Sequence, residues 1–145
     1  LYFKMNDYSR YMMISDCSQM SGAPCGQYRG WNSTMTLNVT EEGFVLSDTG
    51  RLCGSSKPVI FGIGNLVEKL NIPMETVVKM ASLNPAIKYG LDKEKGSIEC
   101  GKDADLVVID DTYKVVATYV NGRKVFDKDI DTNLFNPAFL EENKL

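Results

Sequence analysis

The chain has 145 residues, a formal net charge of −3 and a hydrophobic fraction of 43%. This length suits one domain of ordinary size, and the composition is that of a soluble globular protein rather than a disordered or fibrous one. The 16 basic residues are scattered, so we expect no nucleic-acid partner. No apolar run approaches the roughly 20 residues that a membrane-spanning helix needs, so we expect no membrane either.

The first predicted element is a buried strand over Tyr11–Ile14, a short apolar run that ends at Ser15 and Asp16. A loop rich in Ser, Gly and Pro follows and extends to Gly26. A carboxylate at a strand end projects into the cleft where parallel α/β barrels hold their catalytic groups. Asp16 is therefore a candidate catalytic residue, and the alternative is that its side chain only caps the following turn.

Thr36–Val39 and Gly43–Leu46 predict a β-hairpin with Gly43 in the turn. The segment Gly50–Ser56 then places two glycines and two hydroxyls before a helix. Backbone N–H groups at such a place can meet an anion, but the Lys of a phosphate-binding loop is missing. We therefore interpret Ser55 or Ser56 as an ordinary helix cap.

Apolar residues at helical spacing predict a helix from about Pro58 to Leu70 and another from Met74. Pro85 is expected to open a third, short helix that closes at Gly90. After Gly96 the pattern changes to short β-branched and apolar runs, which predict strands over 106–109, 115–120 and 124–126. Asn121-Gly122 between the last two is a strong hairpin signal.

The chain contains no histidine, the residue most used in acid–base catalysis and a common metal ligand. Its cysteines are widely spaced and form no C-x-x-C pair, so we interpret them as structural thiols in a reducing, cytoplasmic setting. They are Cys17, Cys25, Cys53 and Cys100. We therefore predict no metal site built from this chain alone.

Three segments together resemble the amidohydrolase superfamily signature, NPA followed by a short helix and G-x-I-x-x-G-x-x-A-D-L-V. They are Ser82–Ala86, Gly90-Leu91 and Gly96–Asp110, and Val120–Val125 matches the V-N-G-x-x-V strand pair that follows. Within the superfamily, the first half of the chain is similar to the N-acetylglucosamine-6-phosphate deacetylases. That similarity rests on Ile14–Asp16, Gly50–Ser55 and Asn65–Val67, and the whole resemblance covers roughly Tyr11 to Phe126.

The resemblance implies that Asp16 is the general base and acid of the deacetylation, and that Leu52, Cys53 and Gly54 lie near the acetyl group and sugar. It implies an α/β fold: the last strand and helices of a TIM-type barrel over 1–95, strands of a small β-sandwich domain over 96–126, and a tail over 127–145. It also implies a divalent metal, zinc or iron, and a homodimer as the full-length enzyme. The family's metal ligands, apart from Asp16 if it is one, are absent from this chain, so we expect an incomplete fragment that is inactive alone.

Three alternatives remain open. The substrate of the parent enzyme is expected to be N-acetylglucosamine 6-phosphate, but the galactosamine epimer differs at one hydroxyl and fits equally well. Another amidohydrolase, such as a dihydroorotase or hydantoinase, fits the later signature but fits Gly50–Ser55 less well. From a different class, the chain could be a non-catalytic module that uses its β-rich part for assembly.

Overall fold

The computed structural model describes residues 8–30, 34–131 and 141–145. The described part forms two compact units. One combines the residues before Ser15 with 59–131, and the other combines 15–58 with the C-terminal residues 141–145. Among the described residues, no helix combines the length and apolar character needed to cross a bilayer.

The second unit is built on a four-stranded antiparallel sheet with its strands in sequence order. Its strands are β1 (Gly26–Arg29), β2 (Thr36–Val39), β3 (Phe44–Ser47) and β4 (Leu52–Ser55). The predicted hairpin is confirmed as β2 and β3, with Leu37 opposite Ser47 and Gly43 in the turn at a φ of +92°.

Among the described residues of this unit, Tyr28 is the largest buried side chain, with 1% of its surface exposed. Its hydroxyl donates to the carbonyl oxygen of Pro24 at 2.9 Å, so the polar end is satisfied inside the core. Burial, and to a smaller extent the charge of Cys25, raises the pKa of Tyr28. Tyr28 belongs to a hydrophobic core cluster that also includes residues of β2, of β3 and of the loop before β1. The other members are Met20, Ala23, Leu37, Val39 and Val45.

The described residues of the first unit form a short 3-10 helix (Tyr8–Arg10) and three α-helices, and the α-helices confirm the predicted order. They are α1 (Val59–Leu70), α2 (Met74–Ala81) and α3 (Leu83–Tyr89). Helix α3 begins two residues before Pro85, the predicted start. Pro85 is tolerated inside the helix because it lies in the first turn, where its missing N–H is not needed. Gly90 ends α3 in the left-handed conformation, with a φ of 71°. Val77 and Met80 of α2 are buried against residues of α1 and against Ile72.

Asn84 of α3 connects the segment 8–14 to the helices of the first unit. It is 7% exposed, and its Nδ2 donates to the carbonyl oxygens of Tyr8 at 2.8 Å and Tyr11 at 2.7 Å. The N–H of Met13 donates to the carbonyl oxygen of Met80 at 2.9 Å. The path of residues 8–14 is therefore set by helix contacts.

This arrangement contradicts the strand predicted over Tyr11–Ile14. The segment has no regular secondary structure, and the side chain of Ile14 is 79% exposed rather than buried. A strand requires a hydrogen-bonded neighbour, and the backbone here bonds instead to α2 and to Asn84. The apolar run alone therefore gave a wrong prediction.

The three strands after Gly96 form a second antiparallel sheet, as predicted. They are β5 (Leu106–Ile109), β6 (Val115–Val120) and β7 (Arg123–Asp127). Asn121 and Gly122 have φ values of 50° and 73°, as a two-residue hairpin of type I′ requires.

The signature segment between α3 and β5 packs against α3 and contacts the turn between β6 and β7. Gly96 has a φ of +91°, and a Cβ placed there would lie 2.6 Å from the Cβ of Ala86 in α3. The Asp105 carboxylate accepts the N–H of Asn121 at 2.9 Å and pairs with Lys95 at 2.5 Å. Lys95 and then the Asn121 N–H hold the pKa of Asp105 below its usual value. Gly96 thus allows the signature segment to pack against α3. Asp105 holds the turn between β6 and β7 through the N–H of Asn121.

Within the polar tail predicted over Asp127–Leu145, residues 132–140 lie outside the described part of the chain. Its last part is described: Lys144 forms an antiparallel bridge with Tyr28, and the N–H of Leu145 donates to the carbonyl oxygen of Gln27 at 2.9 Å. The C-terminal residues therefore pair with the free edge of β1.

Candidate active site

Asp16 lies in a left-handed backbone conformation, with a φ of 51°. Only a few per cent of residues other than glycine adopt such a φ, and Asp and Asn do so more readily than most. Residues in this region cluster at functional sites, where surrounding contacts hold them in place. The side chain of Asp16 is exposed, so its carboxylate is open to solvent or to a ligand.

The alternative that Asp16 caps the following turn is wrong for the residues that the structure describes. The caps there come from its neighbours: the N–H of Cys17 donates to Ser15 Oγ at 3.2 Å, and that of Met20 donates to Ser18 Oγ at 3.1 Å. The carboxylate of Asp16 takes no part in these bonds. Its position is therefore not explained by turn formation.

Strand β4 runs beside the Asp16 segment and brings the predicted site residues together. Cys17 and Ser55 form a parallel bridge, in which the N–H of Ser55 donates to the carbonyl oxygen of Asp16 at 2.7 Å. Gly54 lies directly against this point, because a Cβ built on it would be 2.6 Å from the Asp16 carbonyl oxygen. The structure thus places Gly54 in direct contact with Asp16.

Leu52 and Cys53 point to different sides of β4. Leu52 is 62% exposed, so its side chain is available to a ligand. Cys53 is half-buried and packs against the core cluster around Tyr28, and its thiol donates weakly to the carbonyl oxygen of Arg51 at 3.5 Å. Of these two residues, Leu52 has the more exposed side chain.

The segment Gly50–Ser56 differs from the capped loop that its composition suggested. Its second half is β4, and Ser56 is 2% exposed, with its hydroxyl donating to the carbonyl oxygen of Gly43 at 3.3 Å. Ser55 Oγ accepts the N–H of Lys57 at 2.8 Å, two residues before α1 begins at Val59. Neither serine caps α1, because both are used to fix the end of the sheet.

No group of three or more Cys, Asp or Glu residues able to hold a metal ion is found in the described part of the chain. The sequence also contains no histidine. A catalytic metal site usually takes three protein ligands, so the described residues do not by themselves fit a divalent metal site.

The first unit has a shallow cleft between α3 and the signature segment. It is lined by apolar residues of α3, by charged residues of both signs and by Cys100 and Gly101. The lining residues are Leu83, Ile87, Asp92, Lys93, Glu99, Cys100, Gly101 and Lys102. None of the predicted site residues lines it, so it does not compete with Asp16 as a catalytic site.

The model of the amidohydrolase family matches residues 12–125, and the chain therefore belongs to the amidohydrolase family. This match includes Asp16, β4 and the signature segment.

Within the family, the chain is similar to N-acetylglucosamine-6-phosphate deacetylases. It is 34% identical to the enzyme of Vibrio furnissii over 119 residues, which are 82% of this chain and 29% of that protein. It is 38% identical to the human enzyme over 84 residues, 58% of this chain and 20% of that protein. The chain thus spans less than a third of the length of these relatives.

Solved structures give the same result for the fold. The Thermotoga maritima N-acetylglucosamine-6-phosphate deacetylase superposes with a TM-score of 0.74 at 25% identity, over 86% of this chain and 33% of that one. The Pasteurella multocida enzyme superposes with a TM-score of 0.71 at 28% identity, over 80% and 30%. The described α/β arrangement with two antiparallel sheets is therefore shared with part of these enzymes.

Proposed function

We propose that this chain is the C-terminal part of a deacetylase that hydrolyses N-acetylglucosamine 6-phosphate to glucosamine 6-phosphate and acetate. The observation that carries the proposal is the 34% identity with the Vibrio furnissii deacetylase across a segment that includes most of this chain. The placement of exposed Asp16 against Gly54 supports it, because two predicted site segments that are distant in sequence meet in one unit.

In this proposal Asp16 is the general base and then the general acid. Its carboxylate takes a proton from the water that attacks the acetyl carbonyl carbon. When the carbon–nitrogen bond breaks, the same proton is delivered to the nitrogen, so that a neutral amine and acetic acid form, and the acid then releases its proton to give acetate. A positioned acid–base group contributes about 10²–10⁴-fold to the rate. The exposed side chain of Leu52 is proposed to contact the substrate near the acetyl group.

The rest of the proposed enzyme would supply what this segment does not. Residues outside the segment would hold the divalent metal, expected as zinc or iron. We propose that residues 1–95 complete a TIM-type barrel with the missing sequence, that 96–126 belong to a small β domain and that 127–145 form its tail. A homodimer is the proposed assembly of the full-length enzyme.

The test compares the full-length protein with its Asp16→Asn variant. Asn keeps the shape of the side chain and tolerates the left-handed backbone, but it cannot accept the proton. We expect kcat/KM for N-acetylglucosamine 6-phosphate to fall about 10²–10⁴-fold. Asp48→Asn, an exposed change in the same unit, serves as the matched control and should leave kcat/KM within about twofold. If Asp16→Asn stays as active as the control, Asp16 is not the acid–base residue.

A second substrate is favoured by a specific observation. The chain is 31% identical over 114 residues to the N-acetylgalactosamine-6-phosphate deacetylase of Escherichia coli O157:H7, covering 79% of this chain and 29% of that protein. The ratio of kcat/KM on the two epimers decides between the substrates. A ratio in favour of the galactosamine epimer would replace the first proposal while leaving the role of Asp16 intact.

A further inference from the structure

The backbone on either side of Cys17, beginning with the carbonyl group of Asp16, is held by two hydrogen bonds to a single residue of β4. The N–H of Ser55 donates to the carbonyl oxygen of Asp16 at 2.7 Å, and the carbonyl oxygen of Ser55 accepts the N–H of Ser18 at 3.0 Å. These bonds lie one residue on either side of Cys17, the bridge partner of Ser55. They fix the peptide groups that follow Asp16, and therefore where its side chain leaves the backbone.

The Asp16 carbonyl group can lie this close to β4 only because residue 54 is a glycine. A Cβ there would lie 2.6 Å from the Asp16 carbonyl oxygen and 3.4 Å from the Cβ of Ser18. Carbon and oxygen atoms that are not bonded do not approach to 2.6 Å. The oxygen belongs to the backbone and cannot rotate away as a flexible side chain would, so a side chain at Gly54 must push the Asp16 peptide aside. Gly54 also has a φ of +107°, which side chains rarely adopt.

We propose that Gly54 is a positioning residue for Asp16, and that its role in the reaction is exerted through the Asp16 backbone rather than through contact with the substrate. This inference rests on the proposed acid–base role of Asp16. Displacing the Asp16 peptide moves its carboxylate relative to the reacting water and nitrogen. A misplacement of about 1 Å can cost roughly 10²-fold in rate.

The first experiment compares Gly54→Ala with Gly50→Ala in the full-length protein. Gly50 also has a positive φ, +77°, but a Cβ there would meet nothing within 4 Å. The control thus also places a side chain at a positive φ, but without the displacement. We expect Gly54→Ala to lower kcat about 10–100-fold with KM changed less than about threefold, and Gly50→Ala to leave both near the parent values. Equal kcat values for the two variants would overturn the proposal.

A second experiment separates positioning from substrate contact. In an Asp16→Asn background that binds substrate without turning it over, the dissociation constant for N-acetylglucosamine 6-phosphate is measured by calorimetry with and without Gly54→Ala. Positioning predicts a change of less than about threefold, because the group that Gly54 positions no longer reacts. A tenfold weaker affinity would show that Gly54 acts on the substrate and would refute the inference.

Hydrogen exchange of the unaltered protein provides a test that does not depend on whether Gly54→Ala folds. The amides of Ser18 and Ser55 should exchange far more slowly than those of an unstructured chain, because both donate within the contact. Exchange of either amide at the unprotected rate would overturn the inference.

The acid–base role of Asp16 and the positioning role of Gly54 fail in different ways. If Asp16→Asn is fully active, the acid–base role falls; if Asp16→Asn is inactive and Gly54→Ala behaves like Gly50→Ala, only the positioning role falls.

Discussion

Replacing Asn84 by aspartate should destabilise the first unit strongly although the two side chains have nearly the same shape. The Asn84 amide nitrogen donates to two carbonyl oxygens, at 2.8 Å and 2.7 Å, and the residue is 7% exposed. In the variant an oxygen would face both carbonyl oxygens. Two hydrogen bonds are lost, each worth about 1 kcal/mol, and a buried carboxylate is left without a partner. A buried charge deprived of its partner costs about 3–5 kcal/mol in all.

The loss should depend on pH. Burial beside two carbonyl oxygens raises the pKa of the introduced carboxyl in the folded protein above its unfolded value of about 3.9. Below that value the carboxyl is protonated in both states and can donate to one carbonyl, so the deficit is smallest. The deficit increases as the pH rises from about 4 and stops increasing above the folded pKa.

Urea denaturation followed by circular dichroism at pH 4 and pH 7 measures both effects. At pH 7 the midpoint for Asn84→Asp should fall by roughly 2 M, since the slope for a chain of this size is about 2 kcal/mol per molar urea. Asn71→Asp makes the same chemical change at an exposed residue of the same unit and should shift stability by no more than about 0.5 kcal/mol. If the two variants unfold at the same urea concentration at pH 7, the Asn84 contacts do not hold the segment as described.

Two further substitutions test the packing inside each unit, Gly96→Ala in the first and Tyr28→Phe in the second. Gly96→Ala should destabilise the protein by about 1–3 kcal/mol more than Gly101→Ala in thermal unfolding, because both glycines have a φ above +90° but only the Cβ at Gly96 would meet another residue; equal losses would contradict this. Tyr28→Phe leaves the Pro24 carbonyl without its donor and should cost about 1–3 kcal/mol, whereas Tyr89→Phe, at a side chain that is 75% exposed, should cost almost nothing in the same assay.

The elements that could be predicted from sequence are those whose signals are local. The apolar spacing of α1 and α2, and the Asn121-Gly122 turn, act within a few residues, and the structure confirms all three. Strand β1 was missed because Gly26–Arg29 has no alternating apolar pattern and is a strand through its pairing with β2.

The candidate site was predictable in its residues but not in its contacts. Asp16 and Gly54 were both selected from sequence, and their functional roles stay predictions. Their meeting depends on the register that places Cys17 opposite Ser55, and residues so far apart in sequence carry no local signal of register. The amidohydrolase signature was easier to find than to interpret. Gly96 and Asp105, which make it recognisable, are explained by packing and turn formation rather than by chemistry.

The left-handed backbone at Asp16 limits which residues natural variation can place there. At a φ of 51°, glycine, asparagine and aspartate fit without a large penalty, whereas β-branched and bulky residues do not. Substitutions that preserve folding at this position therefore tend to remove the carboxylate and keep the surrounding surface. Under the acid–base role proposed above for Asp16, a lineage that loses the carboxylate in this way would keep a folded protein able to bind its former substrate, which is a short route from an enzyme to a sugar-phosphate receptor.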